Sequence, residues 1–115
     1  MIQSSGVYRI YHQNPWLMIE FQSGAKGEEL REFASLLSEL ADGREEHIRF
    51  DVSRLTDINV SFLNILVLFP GKIRRNNPDV RLEIIYADEN IFNLFRMTGL
   101  DCAYRLLKGP LHGKG

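Results

Sequence analysis

The chain has 115 residues, 44% of them hydrophobic and 25% charged, and its 14 basic and 15 acidic side chains leave a net charge of -1. That is the size of one domain around one core. It is too apolar for intrinsic disorder, and it lacks the basic excess of a surface that neutralises many phosphates, so direct nucleic-acid binding is not expected.

The two β-rich runs VYRIYHQ (7–13) and WLMIEFQ (16–22) come first, separated by Asn14-Pro15. Proline presets its own φ and pushes the preceding residue out of helix space, so the pair predicts a turn and the runs a hairpin. After SGAKG, the apolar residues Leu30, Phe33, Leu36, Leu37 and Leu40 recur at helical spacing from Glu28, and Gly43 is the expected stop, taken in a left-handed conformation. HIRFDV (47–52) reads as a strand, an apolar helix follows from near residue 60, and RLEIIYA (81–87) is the next strand. A strand, helix, strand succession of this length is a crossover unit with its two strands parallel. In DENIFNLFRMTG (88–99), Asp88 is the expected N-cap, Ile91, Leu94 and Phe95 the apolar stripe, and Gly99 the end. AYRLL (103–107) supplies a last strand, and residues 108–115 are expected to form a mobile tail to a single domain of 1–107.

This order, together with two local stretches, resembles the STAS domain, the module shared by sulfate transporters and antagonists of anti-sigma factors. HIRFDVSRLTDINVSFLNIL is similar to the family's strand, "DLS"-like turn, "DSSGLGVL"-like segment and helix. NIFNLFRMTGLD looks like its second signature, and Met97, Thr98, Gly99 and Leu100 match that ending. The resemblance covers roughly residues 6–107. It implies an α/β fold, a small mixed sheet of about five strands in the order β-β-α-β-α-β-α-β with helices mainly on one face. It also implies protein docking in place of catalysis, with a serine at the start of the second helix phosphorylated by a GHKL-type kinase.

Laid without gaps on the family pattern D-S-S-G-L-G, the chain puts Asn59 at the aspartate, Val60 at the phosphoacceptor, and Phe62 and Asn64 at the glycines. Valine carries no hydroxyl. Ser61 lies one residue on, a rotation of about 100° around a helix. A one-residue slip would restore the serine at Ser61 but sets Val60 at the aspartate. Asn59 also has a plain structural role as an N-cap, and Ser61 one as a first-turn residue.

Phe69-Pro70-Gly71 interrupts the second helix and predicts a kink or an early end. Lys72, Arg74 and Arg75 form a basic cluster whose ordinary role is to pair with a helix C-terminus and be solvated. Trp16 is expected to cover one edge of the core. His12, His47 and His112 lie on separate elements, which gives no metal site, and no cofactor motif is present. Cys102, the single cysteine, cannot close an internal disulfide. The opening MIQSSGVYRI lacks the character of a secretory signal, and the apolar run ILVLFP is far short of the roughly 20 residues of a membrane span. A cytoplasmic location follows as an expectation.

These features predict a non-catalytic interaction module, similar to anti-sigma factor antagonists, with a degenerate phosphorylation site. Its docking residues are Asn59, Val60, Ser61, Phe62 and Asn64. The expected partner is a GHKL-type anti-sigma kinase or, alternatively, the ATPase subunit of a membrane transporter; homodimerisation and small-ligand sensing are left open.

Overall fold

A computed structural model describes residues 3–4, 7–24 and 27–109. Strands β1 (Gln3–Ser4), β2 (Tyr8–Gln13), β3 (Trp16–Phe21), β4 (His47–Asp51), β5 (Arg81–Tyr86) and β6 (Arg105–Lys108) form one sheet whose spatial order follows the chain. The two-residue β1 is added to the five strands read from the sequence. Helices α1 (Glu28–Ala41), α2 (Val60–Asn76), α3 (Glu89–Met97) and the single turn α4 (Leu100–Ala103) connect the later strands. Only α4 was not foreseen among the helices. It begins at Gly99, whose φ of 79° is open to glycine without penalty.

β2 and β3 form the expected antiparallel hairpin, closed at Gln13↔Trp16 over a cis Asn14-Pro15 bond, with proline at the third turn position. β3, β4, β5 and β6 run parallel, joined by crossovers through α1, α2 and the α3–α4 pair. Side chains alternate across the pleat, so one face carries the apolar row Ile10, Ile19, Phe50, Ile84 and Leu106, each opposite the next in register. All four helices bury their apolar sides against this face, in one core with Phe33 and Leu37 of α1, Phe62, Leu66 and Phe69 of α2, and Phe95 of α3.

Three expectations need correction. Gly43 does not end α1 in a left-handed conformation: among the described residues only Gly27 and Gly99 have positive φ. The helix closes instead through the N–H groups of Asp42 and Gly43, which donate to the carbonyls of Ser38, Glu39 and Leu40. The sheet also extends past 107, because Lys108 lies in β6 and the Gly109 N–H donates to the Tyr86 carbonyl at 2.6 Å. The rest of the expected tail, His112 included, lies outside the described residues.

The third correction concerns Pro70. α2 does not end there but continues six residues beyond it to Asn76. Proline has no N–H to give to the carbonyl four residues back, and in a buried helix that carbonyl, of Leu66, would go unsatisfied. The buried Tyr104 hydroxyl donates to it at 2.6 Å. A side chain from the end of α4 thus replaces the missing rung, and the Arg74 guanidinium adds a bond to the Ala103 carbonyl at 3.1 Å.

Removing the hydroxyl should expose this dependence. Tyr104→Phe is expected to lose about 1–3 kcal/mol, the cost of an unsatisfied buried polar group. The loss should shrink when Pro70→Ala restores an N–H; a urea-unfolding double-mutant cycle measures the coupling. Burial raises the Tyr104 pKa well above its ordinary value of 10.0, with the nearby Arg74 charge opposing the shift. A group whose folded pKa is raised stabilises fully below its unfolded pKa and loses that contribution as pH rises through the folded one. Stability of the wild type should therefore fall as pH rises above about 10 more steeply than that of Tyr104→Phe.

Candidate docking surface

The segment between β4 and α2 is built by two side-chain caps. Asp51 Oδ1 accepts from the Ser53 N–H at 2.9 Å and from Ser53 Oγ at 2.6 Å, which shapes the turn leaving β4. Asn59 then caps α2: its side chain accepts from the Phe62 N–H at 2.8 Å, and its carbonyl from the Leu63 N–H at 3.0 Å. The capping role read from the sequence is the one observed. Asp88 does the same for α3, accepting from the Asn90 and Ile91 N–H groups.

Of the five residues expected to form the docking surface, Asn59, Val60, Ser61 and Asn64 are exposed, and Val60 is 71% exposed. Phe62 is not. It is 0% exposed, with its ring centroid 5.0 Å from that of Phe21 and 5.3 Å from that of Phe33. It therefore leaves the candidate surface and joins the core. Phe69 is likewise buried, 5.8 Å from the Phe50 centroid. Both alignment registers treated the start of α2 as a string of positions, whereas burial depends on angle: Phe62, Leu66, Phe69 and Ile73 share the inward side.

Further along the outer side of α2, Val67 and Leu68 are exposed, and Met97 at the end of α3 is 82% exposed. Of the basic cluster, Arg74 is half-buried on the Ala103 carbonyl while Lys72 and Arg75 face solvent.

The sheet face away from the helices carries a second set of polar residues that sequence reading did not assemble. Arg9 pairs with Glu20 at 2.6 Å, Arg49 with Glu83 at 2.7 Å, and the Arg49 guanidinium lies 4.2 Å from the Trp16 ring centroid. Trp16 is thus on the helix-free face and not over the core edge. A cavity of about 610 Å³ on this face is lined by Arg9, Glu20, Arg49 and Trp16 with Met18 and Asp51. The signal was present in HIRFDV, where His47, Arg49 and Asp51 alternate with apolar residues, but pairing Arg9 with Glu20 requires the hairpin register. Among the described residues no group of three or more His, Cys, Asp and Glu could hold a metal ion, and no helix is long and apolar enough to cross a membrane.

No family model and no curated protein sequence matches the chain. Solved structures do. An anti-sigma factor antagonist from Mycobacterium paratuberculosis superposes with a TM-score of 0.73 at 11% identity, over 87% of this chain and 83% of that one. The chain has the STAS fold. The anti-sigma factor antagonist SpoIIAA in its unphosphorylated form matches at TM-score 0.72 and 10% identity, over 90% and 89% of the two chains. A chain from the complex of the diguanylate cyclase SiaD with its activator SiaC, from Pseudomonas aeruginosa, matches at 0.59 and 13%, over 92% and 93%. The five strands and three main helices read from the sequence are those of this STAS fold.

Substitution separates the surface from the core. Phe62→Ala should cost about 3–5 kcal/mol, and Asn59→Ala about 1 kcal/mol. Val60→Ala, at an exposed position, should stay within about 0.5 kcal/mol. Chemical denaturation of the three variants measures all of these.

Proposed function

We propose that this chain is a non-catalytic interaction module, an anti-sigma factor antagonist-like regulator that docks through the start of α2. The observation that carries the reading is the exposure of Val60, an apolar β-branched side chain at 71%, beside exposed Ser61 and Asn64 on the first turn of a capped helix. Core packing does not use the apolar side chain at position 60, which leaves it available to a partner surface. The fold shared with proteins described as anti-sigma factor antagonists supports the regulatory class; a GHKL-type kinase is the partner this reading proposes.

Val60 cannot accept a phosphate, so control at the family's serine position is lost and Ser61 is the remaining acceptor. A phosphoryl group there would add up to about two negative charges next to the positive end of the helix dipole. It would favour the helix while repelling a partner matched to a neutral hydroxyl. Permanent docking on a transporter ATPase subunit is the second reading, and Val60 suits it because such docking needs no switch.

Affinity purification with the full chain from its source cells, followed by calorimetry with the recovered partner, tests the surface. Val60→Asp and Ser61→Asp are expected to weaken binding at least about tenfold, or ~1.4 kcal/mol, while Gln13→Glu on the helix-free face of the sheet leaves it unchanged. Equal affinity for all four proteins refutes the surface. Mass spectrometry of the Ser61 peptide decides between the readings: phosphate with a GHKL-type kinase supports the first, an unmodified peptide with transporter subunits the second.

A further inference from the structure

The outer side of α2 carries more apolar surface than the fold uses. Phe62, Leu66, Phe69 and Ile73 already fill the core, yet Val67 is 39% and Leu68 60% exposed. At about 100° per residue, Val60, Asn64, Val67, Leu68 and Gly71 fall within one sector of roughly 100°. The strip thus continues from the start of the helix almost to its end.

Gly71 has no internal explanation. It is exposed in mid-helix, its φ is not positive, and a Cβ placed on it would meet nothing within 4 Å. Glycine is the poorest helix former after proline, so neither conformation nor packing within this chain asks for it. What a bare position provides is close approach of another backbone. Beside it, an apolar groove of about 170 Å³ runs between α1 and α2, lined by Leu37, Ile65, Leu68 and Phe69, with Lys72 at its edge.

Charge narrows the occupant. α2 contains no acidic residue, and its far end exposes Lys72 and Arg75. A second copy meeting α2 with its own α2 would bring no carboxylate from that helix to these cations. An anionic lipid surface is broad enough to meet Glu28, Glu32 and Glu39, exposed on the neighbouring α1, along with the cations, whereas the acidic end of a single helix need reach only Lys72 and Arg75. A helix with one apolar side and an acidic end satisfies groove, flat spot and cations together.

We propose that this face of α2, with the α1–α2 groove, docks an amphipathic helix of a protein partner. The partner's apolar i, i+4, i+7 side lies on Val67 and Leu68, its backbone passes over Gly71, and its acidic residues reach Lys72 and Arg75. The proposal rests on α2 being the docking helix, but Gly71 is about 16 Å along the axis from Val60, so the two surfaces can fail separately.

The test begins with a photo-crosslinking amino acid at Leu68 of the full chain in its source cells, with a control at Gln13 on the helix-free face, and mass spectrometry of the adduct. An adduct at Leu68 only, on a segment with helical apolar spacing and a cluster of Asp or Glu at one end, is expected. A synthetic peptide of that segment is then titrated against the full chain. Gly71→Leu and Lys72→Glu should each weaken binding tenfold or more, and Gly71→Ala should bind within about twofold of wild type with a raised Tm. Thermal unfolding of Gly71→Leu verifies that the loss is steric and not a failure to fold. No adduct, an adduct with a second copy, with lipid or with a segment lacking acidic residues, or unchanged peptide affinity for Gly71→Leu overturns the proposal. Partner loss with Val60→Asp but not with Gly71→Leu removes this site and leaves the proposed function standing.

Discussion

The contact of Phe62 with Phe21 and Phe33 sets the rotation of α2, and with it the surface that the protein shows to others. The Phe62 ring meets Phe21 from the hairpin and Phe33 from α1 with centroids 5.0 Å and 5.3 Å apart. Phe33 also meets Phe50 of the central strand edge-on at 6.1 Å. Such tilted and edge-to-face pairs add about 0.5–1.5 kcal/mol each beyond their burial, and together they hold sheet and two helices in one arrangement. Once Phe62 points inward, helical geometry directs Val60, Asn64 and Val67 to solvent.

A second constraint lets that helix keep its length. Pro70 takes a donor away from the Leu66 carbonyl, and Tyr104, 38 positions from Leu66, returns one. Asn76 Nδ2 donates to the Ala41 carbonyl and Asn77 Nδ2 to those of Gly43 and Glu45, which fastens the far end of α2 to the end of α1. Local sequence favours a break at Pro70, whereas the tertiary contacts supply the partners that make continuation of the helix tolerable.

The two faces of the sheet solve different problems. One is covered by helices, and its central row from Ile10 to Leu106 is apolar throughout. The other has no helix over it, yet Met18 and Ile85 are buried there. Paired Arg and Glu side chains and the Arg49–Trp16 stack lie among them, and the long stems of arginine cover apolar surface while their charges are matched across strands.

Sequence by itself determined the order of elements, the hairpin at Asn14-Pro15, the caps at Asn59 and Asp88 and the parallel crossovers. Each of these depends on local chemistry or on a periodicity carried within about a dozen residues. It also named four residues at the start of α2 that the structure leaves exposed. Only the tertiary structure decided that Phe62 belongs to the core, that α2 survives Pro70, and that Arg9, Glu20, Arg49 and Trp16 share one face. Those outcomes depend on helix rotation and strand register, which are fixed by packing between residues distant in the chain.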